Sequence, residues 1–350
     1  MAFRGLPVPG NDETLSSWLF RCSVNPHVIT THRLQSTDRP VRWWDGLELK
    51  SADPDIDFSS VICRFGLDCA HINLETLEQF FAFRSGTLVE WKYRRFFCPD
   101  CLAEDVVKGQ LPKWQKSWCT EQSSCCLIHG RILEALIDAS HYSKAWDAFV
   151  QCCNTNPSRI NMPLSVLSRF RSTTRAKIIQ FINRLSVEER NIFVNIFNKL
   201  YSIFLQAPYK GGRGGAARIH FQSERGARFA DPLSLEHSFI IGPSTADPSS
   251  RFGSMILAAS LVGIVSESRY SMFVRVWELA NPSSLLPRDL HLVAAFPHVD
   301  RIGYQVLKKY LGYVPKTFFP VLERHLLLQE KRYAREGVFD GYTFGILNID

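Results

Sequence analysis

The sequence predicts a mainly α-helical protein in two parts. An N-terminal part holds a helix-turn-helix-like unit and a zinc-knuckle region, and a C-terminal helical bundle follows. Three observations carry this reading. Apolar residues recur at three- and four-residue spacing through much of the chain, which places them on one side of a helix. Helix-start signals stand in front of several of these stripes. Two pairs, Cys98-x-x-Cys101 and Cys126-x-x-His129, have the spacing that lets one tight turn point both ligands at a single ion.

A chain of 350 residues suggests about two domains, placed here at residues 1–150 and 151–350. Hydrophobic residues make up 45%, enough to bury a real core. The formal charge of +7, from 41 basic and 34 acidic side chains, is a mild excess. It fits contact with nucleic acid or an acidic partner without demanding either. No apolar run reaches the roughly 18 residues of a membrane-spanning helix; the best, 255–265, is short and holds Ser260 and Gly263. The N-terminus lacks the apolar core of a signal peptide. The expected setting is therefore cytoplasmic, where ten cysteines stand as free thiols or metal ligands rather than as disulfides.

Taken in order, residues 1–13 read as coil punctuated by Pro and Gly. Asp12 or Thr14 caps a first helix carrying Leu15, Trp18, Leu19 and Cys22, which Asn25-Pro26 ends. Residues 35–57 form a loop around Trp43-Trp44. Residues 58–83 predict two short helices, with Val61, Ile62 and Phe65 in the first, Gly66 at the turn, and Leu74, Leu77, Phe80 and Phe81 in the second. This spacing suits helix-turn-helix and equally an ordinary helical hairpin. The metal candidate occupies about 96–133, with a short helix expected at 113–118 that sets Trp114 and Trp118 on one face.

Residues 165–205 are strongly helical. Ser186 and Glu189 form a capping box ahead of Ile192, Phe193, Ile196, Phe197, Leu200, Tyr201 and Phe204. Four Gly and three basic side chains within 209–218 predict a flexible basic loop extending to about 228. Its Lys210, Arg213, Arg218, Arg225 and Arg228 are candidate nucleic-acid contacts, although the same composition suits a solvated linker. The stretch has no G-K-[ST] ending and is not a phosphate-binding P-loop. Further helices are expected at 254–265, 287–296, 301–311 and 317–332. The stretch 304–327 has helix-turn-helix spacing, and Pro320 inside its second helix counts against a regular recognition helix.

Cys98, Cys101, Cys126 and His129 supply three sulfurs and one imidazole, a closed tetrahedral set for zinc. Cys119 or Cys125 is an alternative member, and four buried side chains with no metal are the alternative to the whole set. Catalytic zinc keeps an open position for water, which this set does not leave. There is no H-E-x-x-H, and the deaminase pattern fails because Phe97, not Pro, precedes Cys98 and no H-x-E comes before it. The zinc therefore reads as structural and no catalytic residue is assigned. Cys22, Cys63 and Cys69 sit among apolar residues and read as core, while Cys152-Cys153 lacks a second pair.

Three blocks resemble one known family. Residues 6–21, LPVPGNDETLSSWLFR, resemble the opening of TniQ/TnsD-type transposition-targeting proteins through Pro7, Pro9, Asp12, Glu13, Leu15, Ser17, Trp18, Leu19 and Arg21, with Thr14 at a position that is commonly Ser. FCPDCLAED resembles the family's Cys-Pro-x-Cys-Leu-x-x-Asp, and CCLIHGRIL its Cys-Pro-x-His-Gly-x-x-Leu with Leu127 in place of Pro. Lys113, Trp114 and Trp118 fall where the family carries an aromatic and basic helix. The resemblance covers about residues 6–135. It implies a non-enzymatic adaptor in targeted DNA transposition, most like the short TniQ proteins of CRISPR-associated transposons. Such a protein docks as a homodimer on a guide-RNA effector complex of the Cascade type and recruits the AAA+ transposition ATPase, which engages the transposase. The alternative is a target-site selector that binds a DNA attachment sequence directly. Many members carry a second Cys-rich ribbon; here only Cys152 and Cys153 remain, so that site is not carried over.

Overall fold

The computed structural model describes residues 6–25, 53–60, 72–83, 86–137, 142–154, 164–209, 214–221, 233–280, 286, 288, 290, 306–307, 309–312, 314 and 319–335. The chain divides into two compact units, Met1–Ile160 and Asn161–Asp350.

The first unit opens on α1, Leu15–Ser23. Of the two capping residues the sequence offers, Thr14 is the N-cap; its side chain accepts from the Ser17 N–H and satisfies one orphan donor. Leu15, Trp18, Leu19 and Cys22 are buried at helical spacing. They pack with Leu77 and Phe81 of α2, Leu74–Phe81, whose N-cap is Asn73. Of the expected helix-turn-helix, residues 61–71, with Gly66, Cys63 and Cys69, lie outside the described residues. Two-residue strands β1, Phe96–Phe97, and β2, Glu134–Ala135, pair antiparallel. Between them runs α3, Pro99–Val107, with Pro99 in its first turn, where a missing N–H costs nothing.

The helix expected at 113–118 is only a 3-10 turn, Lys116–Trp118. The backbone there is needed elsewhere: Thr14 N–H donates to Trp114 O (2.9 Å) and Lys116 N–H to Asp12 O (2.6 Å). Trp114 and Trp118 still meet edge to face, 5.6 Å between centroids. The last helix of the unit, α4, Lys144–Asn154, spans the boundary expected at residue 150. Its Ala145 and Ala148 join the core formed by Phe97, Leu102, Trp114 and Trp118. Gln151 is bonded to Ile137 N–H and Ala135 O, both 2.9 Å, and fixes the helix beside β2.

The second unit is helical: α5, Leu164–Asn183; α6, Val187–Phe204; α7, Ala216–Phe221; α8, Leu235–Thr245; α9, Pro248–Leu261; α10, Glu267–Ala280; and α11, Pro320–Arg335. The capping box of α6 forms as the sequence indicates, with Ser186 and Glu189 each bonded to the other's backbone. The helix expected at 254–265 begins earlier, because Asp247 caps Ser249 and Ser250 and Pro248 occupies the first turn. Pro320 opens α11 instead of interrupting it. Residues 291–300, most of the helix expected at 287–296, lie outside the described residues, as do 301–305.

Helix α9 is buried almost all round and packs against α5, α6 and α7. An added Cβ at Gly253 would meet the Phe221 ring at 2.3 Å, so a side chain there would force the two helices apart. Phe170, Phe221, Phe252, Phe273 and Trp277 pack around this contact, stacked, tilted or edge to face, with paired centroids 4.8–6.3 Å apart.

Residues 214–221 differ from the flexible loop the glycines suggested. An added Cβ at Gly215 would lie 2.2 Å from Phe204 O. Here glycine serves close packing against the end of α6, and α7 follows directly.

Candidate metal centre

The first ligand pair is set by a strand and a helix start. β1 delivers Cys98 to the N-cap position of α3, and Cys101 falls in its first turn. The second pair is a tight turn. Gly130 N–H donates to Cys126 O (3.0 Å), Gly130 takes φ +68°, and Cys126 N–H donates to Arg131 O (2.9 Å). Only a residue tolerant of positive φ closes this turn without strain.

The four ligand atoms lie within 4.8 Å of one another. The His129 Nδ1 is 3.5, 3.3 and 3.6 Å from the sulfurs of Cys98, Cys101 and Cys126, and the last two sulfurs are 3.4 Å apart. Tetrahedral zinc with ordinary bond lengths requires about 3.5 Å between S and N and about 3.7 Å between sulfurs. The donor set therefore fits such an ion in both chemistry and size. Cys126 Sγ also accepts from the N–H groups of Ile128 and His129, each 3.4 Å. Hydrogen bonds from Cys101 and Cys98, reinforced by these N–H groups, hold the Cys126 thiol well below the usual range. Its sulfur neighbours push the Cys101 thiol up. The thiolate is the form in which cysteine ligates metal.

Outer contacts orient the site. His129 Nε2 lies 2.7 Å from Glu104 Oε1 on α3, which turns Nδ1 toward the sulfurs. Arg131 donates to Asp100 (2.8 Å) and Glu134 (2.6 Å) and ties the second turn to α3 and β2. The alternative ligands are elsewhere. Cys119 Sγ donates to Gln115 O (3.4 Å), and burial pushes its thiol up to about 12. Cys125 faces Ser124 Oγ (3.7 Å). Cys152 is half-buried and Cys153 exposed. Among the described residues no other Cys/His/Asp/Glu group is placed to hold a metal.

The N-terminal motif turns out to brace this site. Glu13 is fully buried and receives Arg21 through Nε (2.8 Å) and Nη2 (2.6 Å), Ser17 Oγ (3.0 Å) and Gly10 N–H (2.9 Å). Trp18 Nε1 donates to Pro7 O (2.8 Å) and Arg21 Nη2 to Val8 O (3.0 Å), which folds the Pro-rich lead back over α1. Ser17 Oγ accepts from Trp114 N–H (3.0 Å), and Asp12 accepts from Ser117 N–H (3.3 Å). Asp105, the last residue of the first Cys block, holds Lys113 through its backbone N–H (3.0 Å) and Nζ (3.1 Å). The three sequence blocks are thus pieces of one braced structure.

Sequence reasoning missed a second polar cluster. Arg94, almost fully buried, pairs with Asp53 and with Asp55 (3.0 Å) and donates to Val89 O (2.6 Å). Asp55 in turn accepts from Ser16 N–H at the start of α1 (2.8 Å). Lys144 lies beside them, donating to Trp91 O (3.1 Å) and Arg94 O (3.2 Å), with Nζ 3.6 Å from the Trp91 ring centre. Burial lowers its pKa to about 7. The available signal was charge inside an aromatic run, WKYRRFF at 91–97.

Of the nucleic-acid candidates, Lys210, Arg213, Arg225 and Arg228 lie outside the described residues. Arg218 is buried, contrary to its expected place on a solvated loop. Its guanidinium donates to Leu205 O (2.7 Å), Gly242 O (2.7 Å) and Thr245 Oγ1 (2.6 Å), closing the C-terminal ends of α6 and α8.

Residues 5–133 match the family model TniQ. The match takes in the braced lead peptide and all four metal-ligand candidates. Proteins of that family are generally non-catalytic adaptor domains, and the match is consistent with a role in transposition targeting. No curated protein and no solved structure matches the chain.

Proposed function

We propose that this chain is a non-enzymatic adaptor of targeted DNA transposition, with a structural zinc ion at Cys98, Cys101, Cys126 and His129. It links a guide-RNA effector of the Cascade type at the target DNA to the AAA+ transposition ATPase, and through it to the transposase. It acts as a homodimer in the cytoplasm. The observation that carries this reading is the closed set of three cysteines and one histidine inside the matched residues 5–133. Four protein ligands complete a tetrahedron and leave no position for substrate or water. When bound, zinc supplies folding free energy on the order of 10 kcal/mol. The protein's own residues do the rest: Glu104 orients His129, Arg131 anchors the second turn, and Glu13, Ser17 and Asp12 lock α1 to the segment between the pairs. Among the described residues no helix is long and apolar enough to cross a membrane.

The test is a tagged pull-down from cells expressing the whole native element, with nuclease treatment and sequencing of retained RNA. A stoichiometric guide RNA with effector proteins is the expected outcome. Recovery of one enriched duplex sequence without RNA would instead make the chain a direct DNA selector.

A further inference from the structure

Positive charge is concentrated in one short segment. Residues 148–187 carry six basic side chains and no acidic one, against a net charge of +7 for the whole chain. Half of that segment is α5. Its inner stripe, Leu167, Phe170 and Thr174, is buried; the helix packs against α9 and α10, with Phe170 5.6 Å from Phe273. The opposite stripe, Ser172, Ala176 and Ile179, is exposed, and exposed Arg169 and Arg175 flank it on its two sides. Arg184 is exposed just beyond the helix end.

Among the described residues Arg169, Arg175, Lys177 and Arg184 take part in no ion pair. The exposed Arg288, Lys309 and Arg324 of the same unit each face a carboxylate: Glu278 at 3.4 Å, Glu236 at 3.9 Å and Glu267 at 3.8 Å. The carboxylates that follow α5, Glu188 and Glu189, lie in the first turn of α6, and Glu189 is engaged in its capping box.

We propose that the outward face of α5 binds the sugar-phosphate backbone of duplex DNA, with Arg169, Arg175 and Arg184 each meeting a phosphate. An exposed helix face bearing unpaired arginines around small residues suits a polyanion that must come close. Ser172 and Ala176 let the helix backbone approach, while the long arginines on either side reach to phosphates. From Arg169 to Arg184 is about 22 Å along a helix axis, some two-thirds of a B-DNA turn of about 34 Å. Contacts of this kind position a protein without reading sequence. The inference stands on the charge distribution of the second unit and goes beyond the adaptor reading, which rests on residues 5–133. It also moves the expected nucleic-acid contact away from Arg218.

The experiment is fluorescence anisotropy of the full chain with a labelled DNA duplex of roughly 30 base pairs across a salt series. One triple variant is Arg169→Gln/Arg175→Gln/Arg184→Gln. The control, Arg288→Gln/Lys309→Gln/Arg324→Gln, removes the same charge from paired positions. The α5 variant is expected to lose at least about tenfold in affinity and to flatten the log–log salt slope by about two to three. The control should stay within about twofold, and a change of duplex sequence should leave affinity almost unmoved. Both triple variants should melt at the parent temperature. Equal losses in the two variants, no loss in the first, no measurable binding by the parent at low salt, or tighter binding to single-stranded RNA of equal length would each overturn the proposal. None of these outcomes bears on recovery of a guide RNA in the pull-down, so the two readings fail separately.

Discussion

The two units are held together by different physics. The first has two-residue strands, short helices and long irregular stretches. Beside its apolar clusters it buries polar groups in matched sets: Glu13 with Arg21, Asp53 and Asp55 with Arg94, and three sulfurs with one imidazole. The second has long helices around α9, and its centre is aromatic rings and close backbone approach. Its buried arginines, Arg218 and Arg251, donate to backbone carbonyls. Such a buried polar set is sensitive to the loss of any one partner, because the group left behind is buried and uncompensated. An apolar core is sensitive to volume instead. The first unit should therefore fail by removal of charge or metal, and the second by a misplaced methyl group.

The largest effect should come from Cys126→Ser. Under the proposed structural zinc, worth on the order of 10 kcal/mol, this should abolish near-UV ellipticity from Trp114 and Trp118, while the far-UV helical signal of the second unit persists. A folded Cys126→Ser protein would contradict the structural reading. Arg94→Met comes next. It strands Asp53 and Asp55 and should destabilise the first unit by about 3–5 kcal/mol, measured by urea denaturation followed through tryptophan fluorescence. In the second unit, Gly253→Ala should cost about 1–3 kcal/mol through overpacking against Phe221; exchange protection in α7 and α9 should fall while α1 is unchanged.

A further effect is one of pH. Burial lowers the Lys144 pKa to about 7 in the folded protein, below its ordinary value near 10.4. Between those values the unfolded chain binds more protons at this site than the folded one. The contribution of Lys144 to stability therefore rises with pH through that window, and its full destabilising effect is present below about 7. The groups facing it are Asp55, Cys119, Arg94 and Asp53. Denaturation curves from about pH 6 to about 9 should show a steeper rise for the parent than for Lys144→Met; parallel curves would show that Lys144 stays charged.

What was legible in the sequence was local. Thr14 as a cap, the Ser186–Glu189 box and the two-residue spacing of the ligand pairs each involve neighbours within four residues, and each appears as expected. The helix expected over 113–118 failed because a distant segment, 12–17, claims its backbone groups. The Arg94 cluster joins residues 39 to 53 positions apart, which no spacing rule reaches. Arg218 was misread because glycines around it suggested mobility, when they mark a close approach to Phe204 O. Arg169 and Arg175 of α5 needed the fold to separate them from arginines that meet a carboxylate among the described residues.

The most direct test of the metal-stapled scaffold is native mass spectrometry of the full chain paired with hydrogen exchange before and after a strong zinc chelator. One zinc per chain is expected, with chelation collapsing protection at residues 96–133 and along α1 but leaving α9 protected. A chain that carries no zinc while those segments stay protected, or that loses zinc without losing protection there, would contradict it.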